Sequence, residues 1–271
     1  MAGGLRLVRG RDLEPYWGVL RAREPGFQRS LITWMGGPEG YINTNPAVAV
    51  ESRHCAVGLM DMGPGNRQPG VHTHTMTEIY VILEGECESF DGVGNTHVAG
   101  PLDCLYIPKG VPHGVRTLGD RPLKLLWVND AIERWGVSVY AEGPGPHPGA
   151  GEVGLIRYRD IAAGQSGGGV SSGRKDVAWV AGGAAPPPGA VRNDRVALGL
   201  SILPAGAEIR EPAAERDRLL VCIAGQGRLV PGTGAEAFGP EDAIHCPAGV
   251  ALALRAEKQA PLSLVWIEEI D

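Results

Sequence analysis

The amino-acid sequence contains an internal repeat, and this duplication limits the possible fold more than any other feature. The segment LRLVRGRDL (5–13) returns as VGLIRYRDI (153–161), with an offset of 148 residues. Four more pairs follow in the same order: 31–37 with 176–183, 54–65 with 195–206, 98–111 with 237–250, and 123–129 with 262–268. Ordered repeats at a nearly constant offset indicate duplicated structural units. We therefore predict two homologous domains, 1–145 and 146–271, joined by the Gly/Pro-rich stretch 143–152.

Each unit has the pattern of many short strands separated by turns. The 41 glycines and 22 prolines are scattered between apolar runs and do not form a low-complexity block. Short helical turns are predicted only near 11–22 and 158–164. The first unit has five predicted strands, at 54–62, 78–84, 103–107, 113–118 and 123–129. This pattern predicts an all-β chain built of two sandwiches or closed barrels.

Potential metal ligands are concentrated in the first unit, in PGVHTHTMTEIYVILEG (69–85) and IPKGVPHGV (107–115). Side chains alternate along a strand, so His72 and His74 should face the same side. Glu78 returns to that side if the turn at 75–77 keeps the phase, and His113 follows a Pro–Gly turn into another strand. Three imidazoles and one carboxylate predict a single divalent transition-metal site with positions left open for other ligands. Fe, Mn, Ni, Co, Cu and Zn all suit imidazole and carboxylate ligands.

These motifs closely resemble those of the cupin superfamily. HTHTMTE followed by Gly85 fits the first cupin motif, and Pro108, Gly110 and His113 fit the second. The departures are glycines placed slightly early, at Gly65 and Gly100, and Thr117 in place of the usual Asn. Because the repeat extends the resemblance over nearly the whole chain, it implies a bicupin: two tandem double-stranded β-helix (jelly-roll) barrels.

The second unit lacks the metal ligands. The repeat alignment puts Pro212, Ala214, Arg218 and Leu252 at the four ligand positions. Scaffold residues such as Gly225, Pro247 and Trp266 are retained. We therefore expect the second barrel to serve packing, stability or pocket closure, with the metal in the first barrel alone.

Several side chains near the metal motif are candidates for contact with substrate. Glu78 and the Tyr80 hydroxyl are the candidate proton-transfer groups. Trp34 and Tyr41 are candidate covers for the pocket, although the echo of Trp34 at Trp179 favours a packing role. The predicted substrate-binding residues are Tyr80, Tyr106, Arg116, Trp127 and Asn129.

Three classes of function fit a complete metal site in one barrel. We favour a non-haem Fe(II) dioxygenase acting on a small phenolic, enolic or keto-acid substrate, as in similar cupins with three His and one Glu. The alternative is redox-neutral isomerisation, cyclisation, decarboxylation or lysis, with the metal as a Lewis acid. The third class is a non-catalytic bicupin that binds a small molecule.

Charge and composition exclude other classes of partner. A net charge of −6 without a basic cluster argues against nucleic acid. No apolar run is long enough for a membrane helix, and charges interrupt the N-terminus where a signal peptide needs its apolar core. The five cysteines form no CxxC pair and are expected to be reduced core residues. We expect a cytoplasmic protein with a small-molecule substrate, and a homodimer is its candidate assembly.

Overall fold

The computed structural model describes residues 4–133, 139–140, 151–165, 173–230 and 236–270. Most of the predicted junction at 143–152 lies outside them. The described part of the first repeat, with the segment that follows it, contains thirteen strands: β1 (Arg6–Val8), β2 (Arg29–Gly36), β3 (Val50–Glu51), β4 (Ala56–Met62), β5 (His72–Thr73), β6 (Glu78–Glu84), β7 (Glu86–Asp91), β8 (Thr96–Ala99), β9 (Cys104–Ile107), β10 (His113–Leu118), β11 (Leu123–Asn129), β12 (Val139–Tyr140) and β13 (Gly154–Ile156).

The second repeat continues with one α-helix and ten strands. They are α1 (Tyr158–Gly164), β14 (Lys175–Ala181), β15 (Val191–Arg192), β16 (Val196–Leu203), β17 (Glu208–Glu211), β18 (Arg218–Ala224), β19 (Gly227–Leu229), β20 (Ala237–Phe238), β21 (Ala243–Cys246), β22 (Leu252–Ala256) and β23 (Leu262–Glu269).

The prediction of an all-β chain is confirmed, and α1 forms where a helical turn was expected. At 11–22 no α-helix forms: only the short 3-10 helix Gly10–Asp12 touches this segment, and a second one spans Pro38–Gly40. No helix among the described residues is long and apolar enough to cross a membrane.

The chain divides into two compact units. The first unit comprises residues 13–158, and the second comprises residues 1–12 and 159–271. Each has a seven-stranded sheet in the same order of equivalent strands: β13-β9-β6-β11-β4-β2-β3 in the first, and β1-β21-β18-β23-β16-β14-β15 in the second. A smaller sheet completes each unit, β12-β5-β10-β7-β8 in the first and β17-β22-β19-β20 in the second.

This division differs from the sequence boundaries at 145/146 because the leading arm of each repeat joins the other unit. Strand β1 pairs antiparallel with β21 of the second unit, and β13 pairs with β9 of the first. The hydrogen bonds that hold the two arms in place are equivalent as well. Asp242 accepts hydrogen bonds from Gly10 N (3.0 Å) and the Arg9 guanidinium (3.2 Å). Asp103 likewise accepts hydrogen bonds from Tyr158 N (3.0 Å) and Arg157 (2.8 Å).

Each unit has its own apolar core, supplied by the inward faces of both of its sheets. The first includes Met60, Ile82, Leu105, Val115 and Leu125, and the second includes Leu220, Ile244, Leu254 and Leu264. Trp34 is fully buried, as is its echo Trp179, which accords with packing rather than a cover over a pocket. All five cysteines are buried and form no disulfide, and burial raises the pKa of the Cys87 thiol to about 12.

Candidate metal centre

The four predicted ligands, His72, His74, Glu78 and His113, come together in the first unit. Their ligand atoms all lie within 4.8 Å of one another, and all four residues are buried. Among the described residues no other group of His, Cys, Asp or Glu forms such a cluster. Donor atoms about 2.1 Å from one ion lie about 3 Å apart when adjacent and about 4.2 Å apart when opposite. The spacing and the donor types therefore fit one transition-metal ion.

The ligands approach from both sheets of the unit. His72 on β5 is the direct cross-strand partner of His113 on β10, and their ring centroids lie 4.2 Å apart. His74 follows the end of β5, with its ring centroid 4.9 Å from that of His72. Glu78 begins β6 in the seven-stranded sheet. The chain thus leaves one sheet after Thr73 and enters the other at Glu78, so Glu78 reaches the site by a crossing between sheets and not by continued alternation.

Hydrogen bonds fix the orientation of two of the ligands. His113 Nδ1 lies 2.9 Å from Val111 O, the geometry of a ring N–H donating to a carbonyl. The other ring nitrogen, Nε2, is directed at Glu78 Oε2 at 2.8 Å and therefore faces the ligand cluster. The strand start at Glu78 is held by Asp130, whose N donates to Thr77 O (3.1 Å) and whose Oδ1 accepts from Thr77 N (2.9 Å).

The electrostatics favour the forms of these ligands that bind a cation. Burial, together with the nearby His113 and His74, holds the pKa of His72 well below its usual value, so this imidazole is neutral at pH 7. Burial alone would raise the pKa of Glu78. The neighbouring His74 and His113 more than offset it, and the pKa of Glu78 lies well below its ordinary range. The site therefore presents a neutral imidazole and a carboxylate, as metal binding requires.

A cavity of about 630 Å³ opens onto this cluster. Its apolar wall includes Leu31, Ile42, Met60 and Leu125, and its polar wall includes Gln68, Tyr80, Trp127 and Asn129. The Tyr80 hydroxyl donates a 2.8 Å hydrogen bond to Glu78 Oε2. Trp127 Nε1 and Asn129 Oδ1 are buried and have no hydrogen-bond partner among the described residues. Two donor or acceptor groups in this wall therefore remain for a bound molecule to satisfy.

Of the predicted substrate-binding residues, Tyr80, Trp127 and Asn129 line this cavity, whereas Arg116 and Tyr106 do not. A contact of Arg116 or Tyr106 with substrate stays a prediction. Val115 and Thr117 share the inward parity of His113, so Arg116 points out from β10, where it is exposed and ion-paired with Glu88 at 2.6 Å. Tyr106 lies on β9 between Ile79 and Gly154, away from the cavity.

The structure adds a cavity residue that sequence reasoning missed. Arg29 at the start of β2 is 2% exposed and lines the cavity. Its guanidinium donates to Phe27 O (3.0 Å) and Leu20 O (2.8 Å). No motif marks Arg29, but its counterpart Arg174 stands five residues before Trp179, as Arg29 stands before Trp34. The sequence signal for Arg29 is therefore this arginine–tryptophan spacing, which occurs in both repeats.

Strand register also revises the comparison with the second unit. Leu252, the counterpart of His113, pairs with Glu211, just as His113 pairs with His72. Glu211, not Pro212, is therefore the counterpart of His72, because the following loop is one residue longer in the second unit. Arg218 pairs with Cys246 and Glu268, as Glu78 pairs with Ile107 and Asn129. Arg218 NH1 and Glu211 Oε2 form a 2.6 Å ion pair, so a salt bridge occupies this pair of ligand positions.

Comparison with known proteins identifies the family of the domain that contains His72, His74, Glu78 and His113. A family model for the cupin domain matches residues 58–129. A dimethylsulfoniopropionate lyase, DddQ of Ruegeria pomeroyi, is 40% identical over 74 residues, which cover 27% of this chain and 36%, about a third, of the lyase.

Two solved structures share the fold over nearly the whole chain. A salicylate 1,2-dioxygenase from Pseudaminobacter salicylatoxidans has a TM-score of 0.64 at 17% identity, covering 95% of this chain and 84% of that one. A putative glyoxylate-induced protein from Pseudomonas aeruginosa has a TM-score of 0.64 at 11% identity, covering 99% of this chain and 90% of that one. Residues 58–129 are therefore a cupin domain, and the chain as a whole has a fold like that of these two structures, with a His₃Glu cluster in its first unit.

Proposed function

We propose that the first unit is a metal-dependent enzyme for a small organic molecule, with Tyr80 as its proton-transfer residue. The observation that carries the proposal is the 2.8 Å hydrogen bond from the Tyr80 hydroxyl to Glu78, at the wall of the cavity that contains the ligand cluster. When bound, a divalent transition metal supplies Lewis acidity toward a substrate oxygen or, if it is redox-active like iron, electron transfer to dioxygen.

The protein's own residues support a proton relay. As the Tyr80 oxygen accepts a proton from the substrate, its own proton can pass along the hydrogen bond to Glu78. Trp127 Nε1–H can donate to a polar substrate atom, and the Asn129 side chain can pair with another. The apolar wall excludes water around the reacting atoms.

We favour redox-neutral chemistry of the lyase or isomerase kind. The relay through Tyr80 is the step such reactions need, and the 40% identity over 74 residues to a dimethylsulfoniopropionate lyase is a likeness of sequence as well as fold. In the second unit the position of Tyr80 is taken by Leu220, opposite Trp266 as Tyr80 is opposite Trp127. The hydroxyl is therefore present in the unit with the metal cluster and missing from its copy.

The second candidate is a non-haem Fe(II) dioxygenase acting on a small phenolic, enolic or keto-acid substrate. It is supported by the likeness in fold to a salicylate 1,2-dioxygenase over 95% of this chain. The four protein ligands leave two positions of an octahedron for substrate and dioxygen.

The deciding experiment combines metal analysis of the purified protein with a substrate screen in air and under strict anaerobiosis. The panel would contain small thioether, sulfonium, keto and phenolic carboxylates, and each would be tried with Fe(II)-loaded and Zn(II)-loaded protein. Turnover that is unchanged without oxygen supports the lyase or isomerase proposal. Oxygen uptake that requires Fe(II) supports the dioxygenase. If turnover does not depend on metal loading, the proposal is wrong in both forms.

A further inference from the structure

The second unit has a cavity of its own, of about 460 Å³, at the position that the metal cluster occupies in the first unit. Glu211 in its wall is the register counterpart of His72. Arg218 is the counterpart of Glu78. The same register gives three more equivalences, which are Leu220 for Tyr80, Trp266 for Trp127 and Glu268 for Asn129. The same place in the fold therefore carries different charges in the two units.

The charged side chains in this wall, among the residues that the structure describes, carry an excess of negative charge. They are two arginines and three carboxylates: Arg174, Arg218, Asp176, Glu211 and Glu268. Arg174 is ion-paired with Asp176 at 2.7 Å and with one oxygen of Glu211. Arg218 is ion-paired with the other oxygen of Glu211 at 2.6 Å. Both arginines are thus engaged by two carboxylates, and the charge of Glu268 is left over.

Glu268 and Arg218 are direct cross-strand partners on β23 and β18, a relation in which opposite charges attract. Arg218 is nevertheless directed at Glu211, and the Glu268 carboxylate has no hydrogen bond or ion pair within the described part of the chain. The Nε–H group of Arg218 is buried and has no hydrogen-bond partner there either. One charged acceptor and one donor in this wall therefore remain for a ligand.

An aromatic ring lies next to the unpaired carboxylate. Trp266 precedes Glu268 by two residues on β23, so alternation along the strand places both side chains on the inward face. The indole packs on Gly199, where a Cβ would lie 2.2 Å from the ring, and it lines the cavity. An indole and a carboxylate facing one cavity suit an organic cation, since the π-electrons attract the charge and the carboxylate neutralises it.

The other classes of ligand fit this wall less well. A metal ion would lie against Arg174 and Arg218, whose charges repel it. An anion would add to the excess negative charge. A monovalent organic cation brings the wall to neutrality, and its hydrocarbon part meets the apolar side chains Pro212, Ala213, Ala214 and Leu220.

We propose that the cavity of the second unit binds a small organic cation, with the charged nitrogen between Trp266 and Glu268. An oxygen of the same ligand accepts a hydrogen bond from Arg218 Nε–H. The ligand class is that of amino alcohols and their N-methylated forms. This site contains no metal ligand, so it is separate from the proposed enzymatic function of the first unit and gives the two units different ligands.

The test measures binding of two cations and their neutral analogues to the full-length Zn(II)-loaded protein. The pairs are choline with 3,3-dimethylbutan-1-ol and ethanolamine with propan-1-ol, in which carbon replaces the charged nitrogen. Ligand-observed NMR titration gives the affinities. We expect at least one cation to bind about tenfold more tightly than its analogue, because it meets both an aromatic ring and a carboxylate. Glu268→Gln should bring cation and analogue to about equal affinity, and Trp266→Leu should weaken cation binding about three- to tenfold.

Glu215→Gln is the matched control, because Glu215 is an exposed carboxylate of the same unit that does not line the cavity. It should keep the wild-type preference for the cation. Thermal unfolding shows whether each variant is folded. If Trp266→Leu does not fold, Glu268→Gln and the wild-type protein still decide the question.

Equal binding of each cation and its neutral analogue by the wild-type protein would overturn the inference. An undiminished preference in folded Glu268→Gln would overturn it as well, since the cation would then bind outside this cavity. A preference that depends on Glu268 in a protein without turnover would support the cation site and count against the proposed enzymatic function alone.

Discussion

The Tyr80 hydroxyl and the Glu78 carboxylate lie two residues apart on β6 and are joined by a 2.8 Å hydrogen bond. Alternation along the strand places both side chains on the inward face, where His113 also contacts Glu78 Oε2. A candidate metal ligand is thereby linked directly to a proton-bearing group at the wall of the cavity.

Replacing Tyr80 with Phe removes this proton and little else. We expect kcat to fall by about a hundredfold or more, the usual contribution of a positioned acid or base, while metal content stays unchanged. The comparison is Tyr106→Phe, outside the cavity, which should retain wild-type kcat. Equal activity of wild type and Tyr80→Phe on an identified substrate would exclude Tyr80 from the chemistry.

The double replacement of His72 and His113 by Ala should abolish metal binding, because these cross-strand partners supply two of the four ligands. Elemental analysis of the purified variant gives the measurement. His54→Ala, an exposed histidine that is not part of the cluster, serves as control and should keep the wild-type metal content. Full occupancy of the double variant would refute the assigned site.

Acid should destabilise the metal-free protein through His72. Its folded-state pKa is held below that of the unfolded chain, so the unfolded state binds more protons as the pH falls below about 6.5. Between pH 7 and pH 5.5 the associated loss in free energy of unfolding should be about 1 kcal/mol. Urea titrations at both values check this. His72→Gln lacks the titration and should show a smaller loss, and an equal loss in both proteins would contradict the assignment to His72.

Gly58 and Gly199 are equivalent positions where a side chain does not fit. A Cβ at Gly58 would lie 2.1 Å from Ile32 O and 2.2 Å from the Trp127 ring, and one at Gly199 would lie 2.4 Å from Val177 O and 2.2 Å from the Trp266 ring. We expect each Gly→Ala change to cost about 1–3 kcal/mol, since a backbone oxygen cannot easily move. Chemical denaturation gives the measurement. Gly70→Ala, with open space around the Cβ, is the control and should cost far less.

Asp103 and Asp242, which accept hydrogen bonds from the two arms, should contribute equally to the free energy of unfolding of the two units. Asp103 accepts hydrogen bonds from Gly100 N, Tyr158 N and Arg157, so Asp103→Ala leaves three partly buried donors without this partner. We expect a loss of about 2–3 kcal/mol and faster hydrogen exchange in β13. Asp242→Ala should do the same to β1, whereas Asp120→Ala, in an exposed turn, should affect neither. Unchanged exchange in both arms would show that the aspartates do not hold them.

The sequence allowed much of this site to be predicted, for a physical reason. His72, His74, Glu78 and His113 lie in two short motifs whose turns and strands are encoded locally. Arg29 was missed because it reaches the cavity only through the tertiary pairing of β2 with β4. Arg116 lies outside the cavity because its parity opposes that of His113. Glu211, not Pro212, is the counterpart of His72 because one additional loop residue shifts the register. The echo of 5–13 at 153–161 showed that the arms are equivalent, but it contained no information about which sheet each arm joins.

The crossed arms have a consequence for the origin of the chain. Cutting it between residues 145 and 146 would separate β13 from β9 and β1 from β21, leaving each half with an unpaired edge strand. Two identical copies of one half could satisfy those edges by exchanging arms, as domain-swapped dimers do. The present chain has the strand pairing that such a dimer would have if its subunits were fused in tandem. Once fused, its two halves no longer had to carry identical residues, and one could lose its metal ligands while the other kept them.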